Sequence, residues 1–366
     1  MMEPYQQLEV EWAKFNDLDP AGMVACSSGT AALHLALEAL HLPPRSEVIV
    51  PDYTMVACAR AVTLAGLVPV FVDCDERLLM DPKRVREAVN SSVPYLEQAV
   101  SAIIVVHIYG RRLESLGSPL GWPVPLPKVI EDLAEAHGVK PHPSTDAAGW
   151  SFYKNKIVAG EEGGAVWFRD PEHAALARQL RNLGFTDAHD FSHAPRGHNY
   201  RMSNAHAKKV LENFEPCMGF EGLRNWTSSL EKVVQERRRI ESWYQVACPV
   251  EWRMPPREAP WVYDLRIPQL TVEGQGHLVR ELNRMGIAAR HGFKPMSRQE
   301  EYKNCKRVVG FKEMWSSVSG WTGMSKADNA SREVIYLPIQ PGVTTEAYCK
   351  RAFEFLVNRV LGRVPH

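Results

Sequence analysis

Between residues 24 and 170, short apolar runs alternate with helix-patterned stretches, an order that few architectures accept. Runs at 24–26, 47–50, 68–72, 102–106, 128–131 and 165–168 have the length and composition of buried strands. Stretches at 31–40, 54–65 and 82–89 carry helical composition and spacing. This alternation predicts βαβ units, a mostly parallel sheet of the α/β class, and ligands bound at the strands' carboxyl ends.

A long helical stretch at about 223–247 carries the chain out of this first unit. Strand candidates at 263–267 and 333–336, with helix candidates at 276–285 and 345–361, predict a smaller α+β domain. The expected division is a large domain at 1–221 and a linking helix with the small domain at 222–366. Residues 305–330, with Trp315 and Trp321 among Ser, Gly and Lys, lack a period and read as a surface loop.

Composition narrows the function. Lys plus Arg and Asp plus Glu both number 43, which advertises neither nucleic acid nor an anionic membrane. No apolar run is long enough to cross a bilayer. The seven cysteines form no CxxC pair, the pattern of free thiols in a reducing compartment, with no metal site implied. The expected location is the cytoplasm.

Chemistry concentrates in a few segments. Asp132 ends an apolar run, where an unpaired carboxylate is costly. Paired with a protonated pyridine nitrogen it would be satisfied; as a helix N-cap before Leu133 it would be too. Ala134 is small enough to lie against a cofactor face, and His137 can either support Asp132 or be a core histidine. Lys156 stands 24 residues after Asp132, in Ser151-Phe152-Tyr153-Lys154-Asn155-Lys156. On an extended segment Lys154 and Lys156 point the same way, so spacing leaves both open. Ser28-Gly29-Thr30, between a strand and a helix, can cradle a phosphate or merely cap the helix. After the strand at 47–50, Tyr53 can stack on a flat ring and Met55 can lay its thioether against one. Asn199 and Arg201 can reach an anion.

Taken together these segments resemble the DegT/DnrJ/EryC1/StrS family of sugar aminotransferases, within the fold-type I pyridoxal phosphate enzymes. The resemblance rests on Ser27-Ser28-Gly29-Thr30-Ala31-Ala32-Leu33, Glu47-Val48-Ile49-Val50-Pro51 and Pro69-Val70-Phe71-Val72-Asp73. It continues through Glu131-Asp132-Leu133-Ala134-Glu135-Ala136-His137-Gly138, Ser151-Phe152, Asn155-Lys156 and Asn199-Tyr200-Arg201-Met202-Ser203. It selects Lys156 over Lys154 as the lysine bonded to pyridoxal 5'-phosphate, and it pairs Asp132 with the ring nitrogen. It gives Gly29, Thr30 and Ser151 to the phosphate, with Ser28 beside them. It brings Asn199 from a partner subunit, so a homodimer with shared sites is implied.

The chain departs from the family's pattern at several points. Met55 occupies the place of the usual ring-stacking aromatic, the segment from Lys140 to Trp150 is compressed, and Lys208-Lys209 replace small apolar residues. The expected activity is transfer of an amino group, from glutamate, to a keto group on a nucleotide-linked sugar. Arg290 and Lys294 are candidates for meeting a diphosphate. A cyclitol, a modified nucleoside or another small carbonyl compound is the alternative acceptor, and a cofactor-binding protein without turnover is the alternative class.

Overall fold

The computed structural model describes residues 2–91, 99–116, 126–186, 191–214, 227–309 and 324–362. Its centre is an eight-stranded sheet. In chain order the strands are β1 (Met23–Cys26), β2 (Glu47–Pro51), β3 (Val68–Val72), β4 (Val100–Val106), β5 (Lys128–Asp132), β6 (Ala147–Ser151) and β7 (Gly164–Phe168). They lie in the order β1-β7-β6-β5-β4-β2-β3, and a late two-residue strand, Arg307–Val308, completes the edge beside β3. Only β7 runs against its neighbours β1 and β6; the other pairings are parallel. Every residue of β2, β6 and β7 is buried, as expected of a sheet covered on both faces.

Helices α1 (Pro4–Phe15), α2 (Gly29–Ala39), α3 (Val56–Leu64), α4 (Pro82–Ser91), α5 (Pro171–Arg181) and α6 (Asn204–Phe214) accompany these strands. One hydrophobic core holds Leu33, Leu37, Ile49, Val62 and Ile103, and a second gathers Trp12, Trp150, Phe152 and Val210. The alanines and glycine of β6 are the trace of this packing. A side chain added at Gly149 would press on Leu33 Cδ2 at 3.3 Å.

Helix α7 (Thr227–Ala247) leads to a three-stranded sheet of β8 (Val262–Arg266), β9 (Arg290–His291) and, later in the chain, Val334–Pro338. The central strand Val334–Pro338 pairs antiparallel with both others. Helix α8 (Val272–Arg284) and a C-terminal helix, Glu346–Leu361, enclose a third core with Tyr244, Tyr263, Leu282 and Phe353.

Two sequence expectations change here. The stretch 305–330 is not simply a loop among its described residues. It contains β10 (Arg307–Val308) and enters α9 (Lys326–Glu333), after which β11 (Val334–Pro338) and α10 (Glu346–Leu361) close the chain. Two strand residues and an eight-residue helix are too short to show a period. The local signal was the reciprocal cap in which Ser325 accepts from the Asp328 amide and Asp328 from the Ser325 amide. Trp315, Trp321 and residues 223–226 lie outside the described residues. The second change is that α1, β6, α5 and β9 join the elements without having been expected. Among the described residues no helix is long and apolar enough to cross a membrane, and the six described cysteines are unbonded.

Candidate active site

The parallel strands bring their carboxyl ends to one edge of the sheet, where a cavity of about 430 Å³ opens. Asp132 and Ser151, the last residues of β5 and β6, lie on its wall beside Val106 at the end of β4. Ser28, Gly29 and Thr30 line it at the start of α2. Ser28 is the N-cap, its hydroxyl accepting from the Ala31 amide at 3.1 Å. Capping and cradling are therefore compatible, since a helix start offers more unsatisfied N–H groups than one hydroxyl can take. Gly29 is required by proximity: a Cβ there would sit 2.7 Å from Ser151 Cβ. Gly29→Ala is expected to push α2 away from β6 and destabilise the fold by about 1–3 kcal/mol. Cofactor retention measured by absorbance after gel filtration should fall with it.

The two lysines separate. Lys156 N–H donates to the Tyr153 carbonyl at 2.8 Å, so the segment turns instead of extending. Lys154 is left exposed, while Lys156 enters the cavity with its side chain 13% exposed. Its ammonium lies 4.2 Å from the centre of the Trp261 ring and 3.8 Å from Glu135 Oε1. The Trp261 indole N–H in turn donates to the Asn155 carbonyl at 2.6 Å, which fixes the residue preceding the lysine.

Asp132 is buried and doubly held. The Ala134 amide donates to Oδ1 at 2.9 Å, and the Cys58 thiol donates to Oδ2 at 3.2 Å. His137 does not support it. Nδ1 of that ring accepts from the Val158 amide at 3.1 Å among Trp12 and Phe152. Burial, and the nearby Lys156 charge, push its pKa down to about 3, so it is a neutral core histidine.

Of the two ring-stacking candidates, Met55 lines the cavity and Tyr53 does not. Tyr53 is buried, its hydroxyl sharing a hydrogen bond with Tyr109 at 3.1 Å and accepting from the Phe293 amide at 3.2 Å. It is a packing residue that joins the large sheet to the region around β9. Ala134 lines the cavity. Asn199 is exposed and bridges to Asn182, away from the cavity of its own chain; Arg201 Nη1 donates to Asn182 Oδ1 at 2.9 Å. Arg290 and Lys294 are exposed and do not line the wall; burial pushes the Tyr336 pKa up to about 12, with the nearby Arg290 charge opposing the rise.

Sequence reasoning gave no role to Glu135, Cys58, Trp261, Phe293 or Tyr336. The last three form the side of the cavity contributed by the C-terminal half. Glu135 Oε2 accepts from the Tyr109 amide at 2.9 Å. That amide is presented by a left-handed turn: Tyr109 has φ 56°, and at Gly110 a Cβ would lie 1.8 Å from the Ala259 carbonyl oxygen. A bulky residue in this conformation stores roughly 1–3 kcal/mol of strain.

Burial raises the Glu135 pKa to about 7, with Lys156 opposing the rise. Its folded pKa thus lies above the ordinary 4.5, so its contribution to stability is full below pH 4.5 and is lost as pH rises through 7. Unfolding of wild type and Glu135→Gln by denaturant at pH 4.5 and pH 8 should expose a difference that shifts by roughly 3 kcal/mol in favour of the glutamine variant. A difference that stays constant between the two pH values would contradict the raised pKa.

The sheet order, with its site at the carboxyl edge, puts the molecule among the fold-type I transferases. The chain belongs to the DegT/DnrJ/EryC1/StrS aminotransferase family, whose model matches residues 3–351, and it is an aminotransferase. It is 31% identical over 296 residues to the GDP-perosamine synthase of Caulobacter vibrioides, covering 75% of this chain and 72% of that protein. To a dTDP-4-dehydro-2,3,6-trideoxy-D-glucose 4-aminotransferase of Saccharopolyspora spinosa it is 25% identical, covering 92% and 84%. Its fold matches the crystal structure of a DegT DnrJ EryC1 StrS aminotransferase from Brucella abortus with a TM-score of 0.78, at 22% identity, covering 97% and 89%.

Proposed function

We propose that the chain uses pyridoxal 5'-phosphate to move an amino group, from glutamate, onto a keto group of a nucleotide-linked sugar. The observation that carries this reading is the placement of the Lys156 amine in one cavity with the buried Asp132 carboxylate and the start of α2. The residues fit the cofactor: the close approach of Gly29 to Ser151 leaves a backbone cradle at the helix start, with hydroxyls from Ser28, Thr30 and Ser151 beside it. When bound, pyridoxal phosphate supplies an aldehyde to carry the amino group and a cationic ring that withdraws electrons from the reacting carbon.

The chain's own residues do the rest. Asp132, fixed by the Ala134 amide and the Cys58 thiol, would pair with the ring nitrogen and favour its protonated form. Ala134 and Met55, on the cavity wall, would contact the ring. Lys156, in the cavity, would hold the cofactor through its amine, and the same Nζ would be the group that takes up and gives back a proton. Glu135, near Nζ, offers a carboxyl that gains or loses a proton near neutrality. Trp261, Phe293 and Tyr336 exclude water from that side. Support for a nucleotide-linked acceptor comes from the two sugar-nucleotide relatives and from Arg290 near Tyr336 at the aromatic wall.

Exposure of Asn199 outside its own cavity supports a homodimer in which it serves the neighbouring site. Mixing inactive Lys156→Ala and Asn199→Ala chains should then recover activity; a mixture that stays inactive removes that role. For the reaction, purified yellow protein should lose its visible band on addition of glutamate and release 2-oxoglutarate. A panel of nucleotide keto-sugars and cyclitol ketones, scored by mass for amine gain, identifies the acceptor. A band that no amino acid shifts would sink the proposed turnover.

A further inference from the structure

Further along α2 from the residues that start it at the cavity, His34 and Glu38 stand one helical turn apart and face His198. One ligand atom from each, taken together, lies within 4.8 Å of the others. Glu38 Oε2 is 2.6 Å from His198 Nε2, and Glu38 Oε1 is 3.9 Å from His34 Nε2. The His34 side chain is only 3% exposed, and its Nε2 has no hydrogen-bond partner among the described residues. The Leu64 carbonyl also faces the ring, outside hydrogen-bonding geometry. A buried ring nitrogen left unpaired beside a carboxylate and a second imidazole is a costly arrangement for the polypeptide alone.

We infer that His34, Glu38 and His198 form a binding site for a divalent transition-metal ion, best suited to zinc. Two imidazoles and one carboxylate are a zinc donor set with room for a further ligand. Tetrahedral zinc with bonds near 2.0–2.2 Å separates its ligands by about 3.3–3.5 Å, within side-chain adjustment of the present arrangement. Nδ1 of His34 lies 3.1 Å from the Tyr200 hydroxyl, which orients the ring and leaves Nε2 for the ion. Glu38 lies in the last turn of α2, where the helix dipole favours a cation. Metal here would clamp α2 to the segment carrying Asn199, independently of the substrate at the cavity.

The full-length holoenzyme, stripped with chelator and incubated with one equivalent of Zn²⁺ or Co²⁺, should retain one ion per chain after gel filtration. Co²⁺ should give visible bands to the red of the cofactor's own absorption. His198→Gln is the sharpest variant, since that side chain is partly exposed and glutamine keeps a hydrogen-bonding group near Glu38. It should weaken zinc affinity by about 100-fold or more, and Tyr200→Phe by about 10–100-fold, with the cofactor spectrum unchanged. Absence of stoichiometric uptake by the wild type would overturn the site. Equal affinity in wild type and His198→Gln would overturn it too, by locating the ion elsewhere.

Discussion

Lys156→Ala is expected to lower turnover by roughly 10⁴-fold or more, because the substitution removes both the covalent anchor and the proton-moving amine. The effect belongs to the amine and not to the charge. Lys156→Arg keeps a cation near Trp261 and Glu135, yet it should be as inactive as the alanine variant. Lys154→Ala, at an exposed position, should behave as wild type. Single-turnover kinetics with glutamate, together with borohydride trapping of the cofactor, check all three. Retained activity in Lys156→Arg, or a trapped adduct persisting in Lys156→Ala, would refute the assignment.

Asp132→Ala should reduce turnover roughly 10²–10³-fold, the scale of losing one preorganised electrostatic partner in a water-excluded site. Two donors lose their acceptor, the Cys58 thiol and the Ala134 amide, at a cost of about 1 kcal/mol each. The protein should therefore remain folded while releasing the cofactor more readily. Asp132→Asn sharpens the test by keeping an oxygen acceptor for the Ala134 amide without the negative charge. Cofactor affinity by titration and turnover should both fall in this variant. If Asn supports wild-type turnover, ion pairing with the ring is not what the residue contributes.

The main sheet was legible because β2, β3 and β4 are short apolar runs that alternate with helix-patterned stretches, the order of a covered parallel sheet. Strand β6 was not, since its Ala-Ala-Gly-Trp-Ser sequence is dictated by the close passage of α2. Asp132 and the start of α2 stand out because each sits at a strand or helix end, whereas Lys156 stands out through the family resemblance. Choosing between Lys154 and Lys156 on physical grounds needed the turn at Tyr153, and choosing between Tyr53 and Met55 needed the hydroxyl pair with Tyr109. Glu135 was in view, yet its partners, the Tyr109 amide and the Lys156 amine, are assembled only by tertiary structure. Trp261 and Phe293 come from distant parts of the chain and carry no local mark of their position.

Strand β10 has a consequence for synthesis on the ribosome. The outer edge of β3 receives its neighbour only when Arg307 and Val308 have emerged, long after the rest of the large sheet has been made. Until then the nascent chain carries an open strand edge, the kind of surface that pairs with other chains. The short Arg307–Val308 ladder is thus a late seal, and truncations that stop before it leave a polypeptide prone to aggregate although nearly all of the sheet is present.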